Sequence, residues 1–280
     1  MEVKVQSKES NIKLLLLGRA VSLFGNTIYL IVLPLYILNI TQNLKTTGIF
    51  FAAVNFPTII ISIFIGTIEK SSFFKDFKEG INYIKNNKII FNFFILVMFL
   101  NFFIANNDEI INPGILIKKY GISEKLFGFS ATSYGAGSVF AGIFIFYNKK
   151  FSFLKKLKLL FILNSSLMCL LGLLSIILFK SNHYIYFVVF ILFQFLIGMI
   201  TTFVNVPLIS SFQRNVEIEY QSRFFSILSF FSGGLIPLGI LYAGYLSSYI
   251  GADVTYMINN VAIIIIVCLV FNNIKEAVVN

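Results

Sequence analysis

The chain has 280 residues, 58% of them hydrophobic and only 12% charged, with 22 Lys and Arg against 12 Asp and Glu and a mean hydropathy of +0.87. Soluble globular domains carry about 25% charged residues, so this composition excludes one and places the chain in lipid. The net charge of +10 is spread along the edges of apolar stretches, which suits anionic lipid and argues against nucleic acid as a partner.

A spanning helix needs about 20 mostly apolar residues. Eight stretches qualify: 14–38, 47–68, 89–105, 126–147, 157–180, 184–208, 224–248 and 254–272. No alternating ten-residue pattern of a barrel is present, and backbone groups in lipid must be satisfied within each segment. The expected fold is an all-α integral membrane protein with about eight transmembrane helices. The polar start, MEVKVQSKES, reads as a cytoplasmic tail and not a removable signal.

The first span contains Asn26 and Tyr29. After the second comes GTIEKSSFFKDFKEG, residues 66–80, which is basic and out of keeping with its surroundings. Phe74, Phe77, Ile81 and Ile84 recur there at helical spacing between lysines. This reads either as an amphipathic helix on the bilayer surface or as an extension of the third span. The third span carries Asn101 and ends in ANNDEIINPG, which sets Asp108 and Glu109 at the outer face. They are either a solvated helix end or an attractor for a cationic substrate or a proton.

The fourth span shows Gly128, Thr132, Gly135, Val139 and Gly142 near i+4 spacing, a small-residue stripe for close helix packing. In the sixth, Gln194, Gly198, Thr201 and Asn205 fall at i, i+4, i+7 and i+11, one helix face. A polar stripe in lipid turns inward, to line a cavity or to make interhelical hydrogen bonds. Arg214, Glu217, Glu219 and Arg223 frame the following loop, as a cytoplasmic latch or as a solvated charged turn. Gly233, Gly234, Pro237 and Gly239 predict a kink in the seventh span. Cys169 and Cys268 lie in apolar spans, where a disulfide is not expected.

Lysine and arginine orient the spans. With the N-terminus inside, the outer side receives only Lys45, Lys118, Lys119, Lys125 and Lys180, and the cytoplasmic side the rest of the 22. Both termini are then cytoplasmic, in a multi-pass protein of the cell inner (plasma) membrane.

Several stretches resemble the major facilitator superfamily, in the branch of macrolide-efflux and siderophore-export proteins. FFKDFKEGINYIKNNKIIFNFFIL is similar to the family's central linker and seventh helix. LLGRAVSLFGNTIYLIVLPLYILNIT resembles its first helix and GFSATSYGAGSVFAGIF its eighth. NVPLISSFQRNVEIEYQSRFFSI is similar to the end of its tenth, and FFSGGLIPLGILYAGYLSSYIG to its eleventh. Family members have about twelve helices in two halves. The resemblance therefore implies a shortened N-terminal half of two helices (1–68), a cytoplasmic amphipathic linker (69–88) and a complete six-helix C-terminal half (89–280). It also implies secondary efflux of a small amphiphilic compound, macrolide- or drug-like or siderophore-like. In the related first helix an acidic residue often stands where this chain has Asn26.

Transporter sites lie near the bilayer midplane between the halves. The candidate cavity residues are Asn26, Tyr29, Asn101, Gln194, Thr201 and Asn205, with facing helices supplied by a partner or a second copy. No Asp, Glu or His lies at the centre of a predicted span, so proton coupling needs Asp108 or a carboxylate on the missing helices. No HExxH, GxSxG, CxxC or P-loop pattern occurs. No enzyme activity, cofactor or metal site is expected. The alternative is a non-transporting remnant of a transporter, or a membrane subunit that depends on a partner.

Overall fold

A computed structural model describes residues 35–65, 73–148, 156–178 and 183–279, together with 15, 18, 22, 25, 29, 32 and 33; of 55–65, 73–76 and 274–279 only the backbone is described. Residues 35–41 close a first helix, α1, most of which lies outside the described residues, as does Asn26. Then follow α2 (Leu44–Ile65), α3 (Phe73–Asn86), α4 (Lys88–Ile104), α5 (Glu124–Tyr147), α6 (Leu157–Leu178), α7 (His183–Asn215), α8 (Ile218–Ile250) and α9 (Ala252–Val279). Among the described residues there is no strand.

Six helical stretches are long and apolar enough to cross a membrane: Lys88–Lys119, Glu124–Tyr147, Leu157–Leu178, His183–Asn215, Ile218–Ile250 and Ala252–Asn273. The architecture is that of a multi-pass membrane protein, with six such helices among the described residues where the sequence suggests eight in all. The other two expected spans correspond to α1 and α2, and only Leu44–Val54 of α2 enters as a short apolar helix.

Three expected boundaries shift, each for a physical reason. The third span does not stop at residue 105. It runs on to Lys119 through two π-helical segments, Asn107–Ile111 and Gly114–Lys119, on either side of Asn112 and Pro113. Asn-Asp and Pro-Gly pairs ordinarily interrupt a helix. The ladder instead widens, with the Asn112 N–H reaching the Asn107 carbonyl and the Tyr120 N–H the Ile115 carbonyl at 3.0 Å. A wider turn accommodates a proline that lacks its own N–H. Likewise α7 continues to Asn215 and α8 begins at Ile218, so Arg214, Glu219 and Arg223 ride on helices and the loop shrinks to Val216 and Glu217.

The bundle pairs α5 with α7, α6 with α9 and α2 with α8, while α4 packs on both α8 and α9. Close helix approach rests on glycines. A Cβ on Gly137 of α5 would lie 2.0 Å from the Phe195 carbonyl oxygen, and one on Gly198 of α7 would lie 2.1 Å from that of Tyr134. Ser133 and Ser138 add hydroxyl bonds across the same contact, to the carbonyls of Ile191 (2.8 Å) and Gly198 (3.2 Å). The small stripe expected to pack, by contrast, faces away. Gly128, Gly135 and Gly142 have open space where a Cβ would stand, and Thr132 and Val139 are exposed. Between α8 and α9, Gly251 takes φ 92° and ψ 152°, a region open essentially to glycine alone.

The apolar face of α3 is turned onto protein, where the sequence reading offers bilayer or a continuation of the next span. Phe77 stacks on Phe231 at 6.3 Å and Tyr83 on Tyr220 at 4.6 Å, and Ile84 is buried. Asn87 separates α3 from α4 and caps the latter, its side chain accepting from the Ile90 N–H at 3.1 Å.

Two apolar clusters build the core. One joins Leu44, Ile110, Met168, Ile197 and Tyr256; the other joins Ile90, Phe161, Val204, Leu208 and Phe224.

Candidate functional site

A cavity of about 340 Å³ lies between those clusters, with Met168, Ile197 and Tyr256 from one and Phe161, Val204 and Leu208 from the other on its wall. Its lining comes from α4 and the adjoining π segment, and from α5, α6, α7 and α9. Every lining residue follows α3, so no described residue of α1 or α2 contributes. The expected site between two halves differs from this arrangement, in which the walls belong to five of the six long helices.

Helical periodicity places the polar groups. Along α7, Gln194, Ile197, Thr201, Val204, Asn205 and Leu208 share one face on the cavity, as their three- and four-residue steps require. Gln194 is buried, Thr201 half-buried and Asn205 exposed, so the polar face runs from the inside of the bundle to its edge. On α4, Val97, Leu100, Asn101 and Ile104 follow the same rule. The Asn101 amide donates to the Val97 carbonyl at 2.9 Å. That leaves its oxygen and its second N–H for other partners.

The structure thus brings Asn101, Gln194, Thr201 and Asn205 to one space. Tyr29 is exposed and not on its wall, and Asn26 falls outside the described residues. Asp108 also lines the cavity. Instead of ending a helix in water, it sits within a continuous 32-residue helix, about 16 Å of helical rise before Lys119. Its side chain is exposed and stands on the cavity wall. Asn112 donates to its Oδ1 at 3.1 Å. Glu109, the next residue, is not on the wall.

Other wall residues escaped the sequence reading. Asn164 and Ser165 of α6 face the cavity, and the Asn164 amide donates to the Thr201 hydroxyl at 3.3 Å. The signal was present, an Asn in the otherwise apolar run LLFILNSSLM. Asn107, Asn112, Tyr134 and Tyr256 complete the polar part. The wall is therefore amphiphilic. Amides, hydroxyls and one carboxylate stand among Val, Leu, Ile, Phe and Met side chains, and no Lys, Arg or His is among them.

The four supposed latch residues do not assemble with one another. Arg223 donates to Glu79 of α3 at 2.9 Å. Arg214 donates to the Ser210 carbonyl of its own helix at 3.2 Å. The Glu217 N–H reaches the Tyr83 hydroxyl at 3.3 Å. The charged turn thus fastens α3 to α8. At the opposite end of the helices, Lys119 pairs with Asp253 and donates to the Ser175 carbonyl at 3.0 Å, tying the end of the second π segment to α6 and α9. Among the described residues no group of three or more His, Cys, Asp or Glu stands ready for a metal.

The fold and the cavity define a class, a helical multi-pass membrane protein with an amphiphilic internal chamber. No protein-family model matches the chain, and no curated protein or solved structure is significantly similar to it.

Proposed function

We propose that the protein is a secondary transporter that exports a small amphiphilic compound, macrolide- or drug-like or siderophore-like, through this chamber. One observation carries the reading. Asn101, Asn164, Gln194, Thr201 and Asn205, from three helices, meet with apolar side chains in one space of about 340 Å³, within the range of drug-sized ligand sites. An apolar wall holds the body of an amphiphile, and fixed amides orient its polar groups. The stretches similar to the major facilitator superfamily add support, and with them the layout of a shortened first half, a linker helix and a complete six-helix second half. No nucleotide-binding motif is present in the sequence, so the driving force is an ion or substrate gradient. The membrane is the cell inner membrane, with both termini cytoplasmic.

The test is accumulation of a fluorescent cationic dye and of a labelled macrolide in an efflux-deficient bacterium, with membrane insertion checked. Accumulation falls on expression, and the effect is lost in Asn205→Leu, which removes an amide from the exposed edge of the chamber. Unchanged accumulation of both probes in well-inserted protein counts against the reading.

A second reading is favoured by the open face of α5, where Gly128, Gly135 and Gly142 meet nothing within 4 Å. Small residues in a row let another helix approach closely. On this reading the chain is a non-transporting subunit that works through partner helices or a second copy.

A further inference from the structure

We propose that Asp108 and the amide oxygens around it form a site for a bare monovalent metal cation of the sodium type. The site shares the chamber and Asn164 with the transport reading, but it concerns an ion and not the amphiphile.

The first observation is charge. Asp108 is the one carboxylate on the chamber wall, and no described Lys, Arg or His lines the chamber with it. A carboxylate on a wall that carries no cationic side chain attracts a cation. The second observation is independent of it. Asn107, Asn112 and Asn164 are 5%, 3% and 7% exposed, all three line the chamber, and the side-chain oxygen of each has no hydrogen-bond partner. Their nitrogens are engaged instead, with the Met168 sulfur (3.8 Å), Asp108 (3.1 Å) and the Thr201 hydroxyl (3.3 Å). Buried polar groups in proteins are nearly always paired, so three orphan acceptors on residues of a wall that also carries a carboxylate mark a place made for something positive.

The ligand class follows from these atoms. Carboxylate and amide oxygens, without nitrogen or sulfur donors, suit hard cations. One carboxylate with neutral amides balances a single positive charge. The orphan oxygens are closed off from a water-sized sphere, so the substituted nitrogen of a bulky amine does not reach them, whereas a dehydrated ion smaller than water does. The π segment contributes here by holding Asn107, Asp108 and Asn112 on one wall, and such segments recur at functional sites.

The experiment uses the full chain purified in lipid nanodiscs. Equilibrium binding of radioactive sodium is measured, and thermal melting is compared in sodium chloride and choline chloride at equal ionic strength. The expected result is one saturable sodium ion per chain and a melting temperature that rises with sodium and not with choline. Asp108→Asn abolishes the binding, and Asn164→Ala weakens it about tenfold or more. Should Asp108→Asn fail to fold, the wild-type salt comparison and Asn164→Ala decide. Absence of saturable sodium binding to the wild type overturns the proposal. So does binding of tetraphenylphosphonium that depends on Asp108 and is indifferent to sodium, which would assign the carboxylate to an organic cation. Neither failure touches the transport reading, which the accumulation assay tests separately.

Discussion

Gly198→Ala is the sharpest single test of the fold. The new methyl group would start 2.1 Å from the Tyr134 carbonyl oxygen. That oxygen belongs to the backbone of α5 and cannot rotate away, so the two helices must separate by about 1 Å to reach ordinary contact. Overpacking of this kind costs about 1–3 kcal/mol. Separation also stretches the bonds from Ser133 to Ile191 and from Ser138 to Gly198, each worth about 0.6 kcal/mol on average between membrane helices. Against these, alanine regains about 1 kcal/mol of helix propensity. The balance is a loss of about 1–3 kcal/mol, or roughly 2–12 °C in melting temperature for a chain of this size. The assay is thermal melting of purified protein, with Gly135→Ala as the control. Gly135 is on α5, next to Tyr134 and facing open space, so alanine there leaves the melting temperature level or slightly raised. A Gly198→Ala protein that melts with the wild type while Gly135→Ala falls would refute the assigned α5–α7 contact.

Asp253→Asn removes the charge paired with Lys119, whose side chain is 25% exposed against 9% for Asp253. With that partial exposure the loss is about 2–3 kcal/mol, below the full cost of breaking a buried pair, and appears as a lower melting temperature. A shift under 1 °C would exclude the clasp. The pair between Arg223 and Glu79 is more exposed, at 29% and 41%. A double-mutant cycle with Arg223→Gln and Glu79→Gln gives about 0.2–1 kcal/mol of coupling, and no coupling would place α3 elsewhere. Thr201→Ala takes the acceptor from the Asn164 amide. It costs about 1 kcal/mol in melting, and an unchanged melting temperature would show that the bond is not formed.

Periodicity made the site partly legible. Gln194, Thr201 and Asn205 share a face because 3.6 residues make a turn, and Asn101 is visible as a polar residue deep in an apolar run. Asp108 was misplaced because Asn, Pro and Gly carry breaking signals in a one-dimensional reading. Whether a ladder breaks or widens depends on what packs around it, and here Ile110, Ile111, Ile115 and Leu116 are fully buried on either side of the proline. The packing face of α5 was missed for a related reason. That helix has small residues on both sides, with Ser130, Ser133, Gly137 and Ala141 on the other one. The choice is made by the Gly198 opposite, which a reading of one helix at a time does not supply. The amphipathic pattern of α3 was clear, but the pattern is the same whether the apolar face meets lipid or another helix.

The length of α7 and α8 bears on the membrane itself. Each has 33 residues, about 50 Å of helix, while the hydrocarbon layer is about 30 Å thick. Ordinary tilts of about 20° absorb only a few ångströms of that excess. Each helix therefore extends beyond the acyl chains, and the charges of Arg214, Glu217, Glu219 and Arg223 favour the α7–α8 turn as an end that lies outside them. Helix α3 packs along α8 near that turn, with Tyr83 on Tyr220 and Glu79 on Arg223. A contact made at the charged end of α8 is made outside the lipid, so bilayer thickness sets how far that end emerges without loosening it.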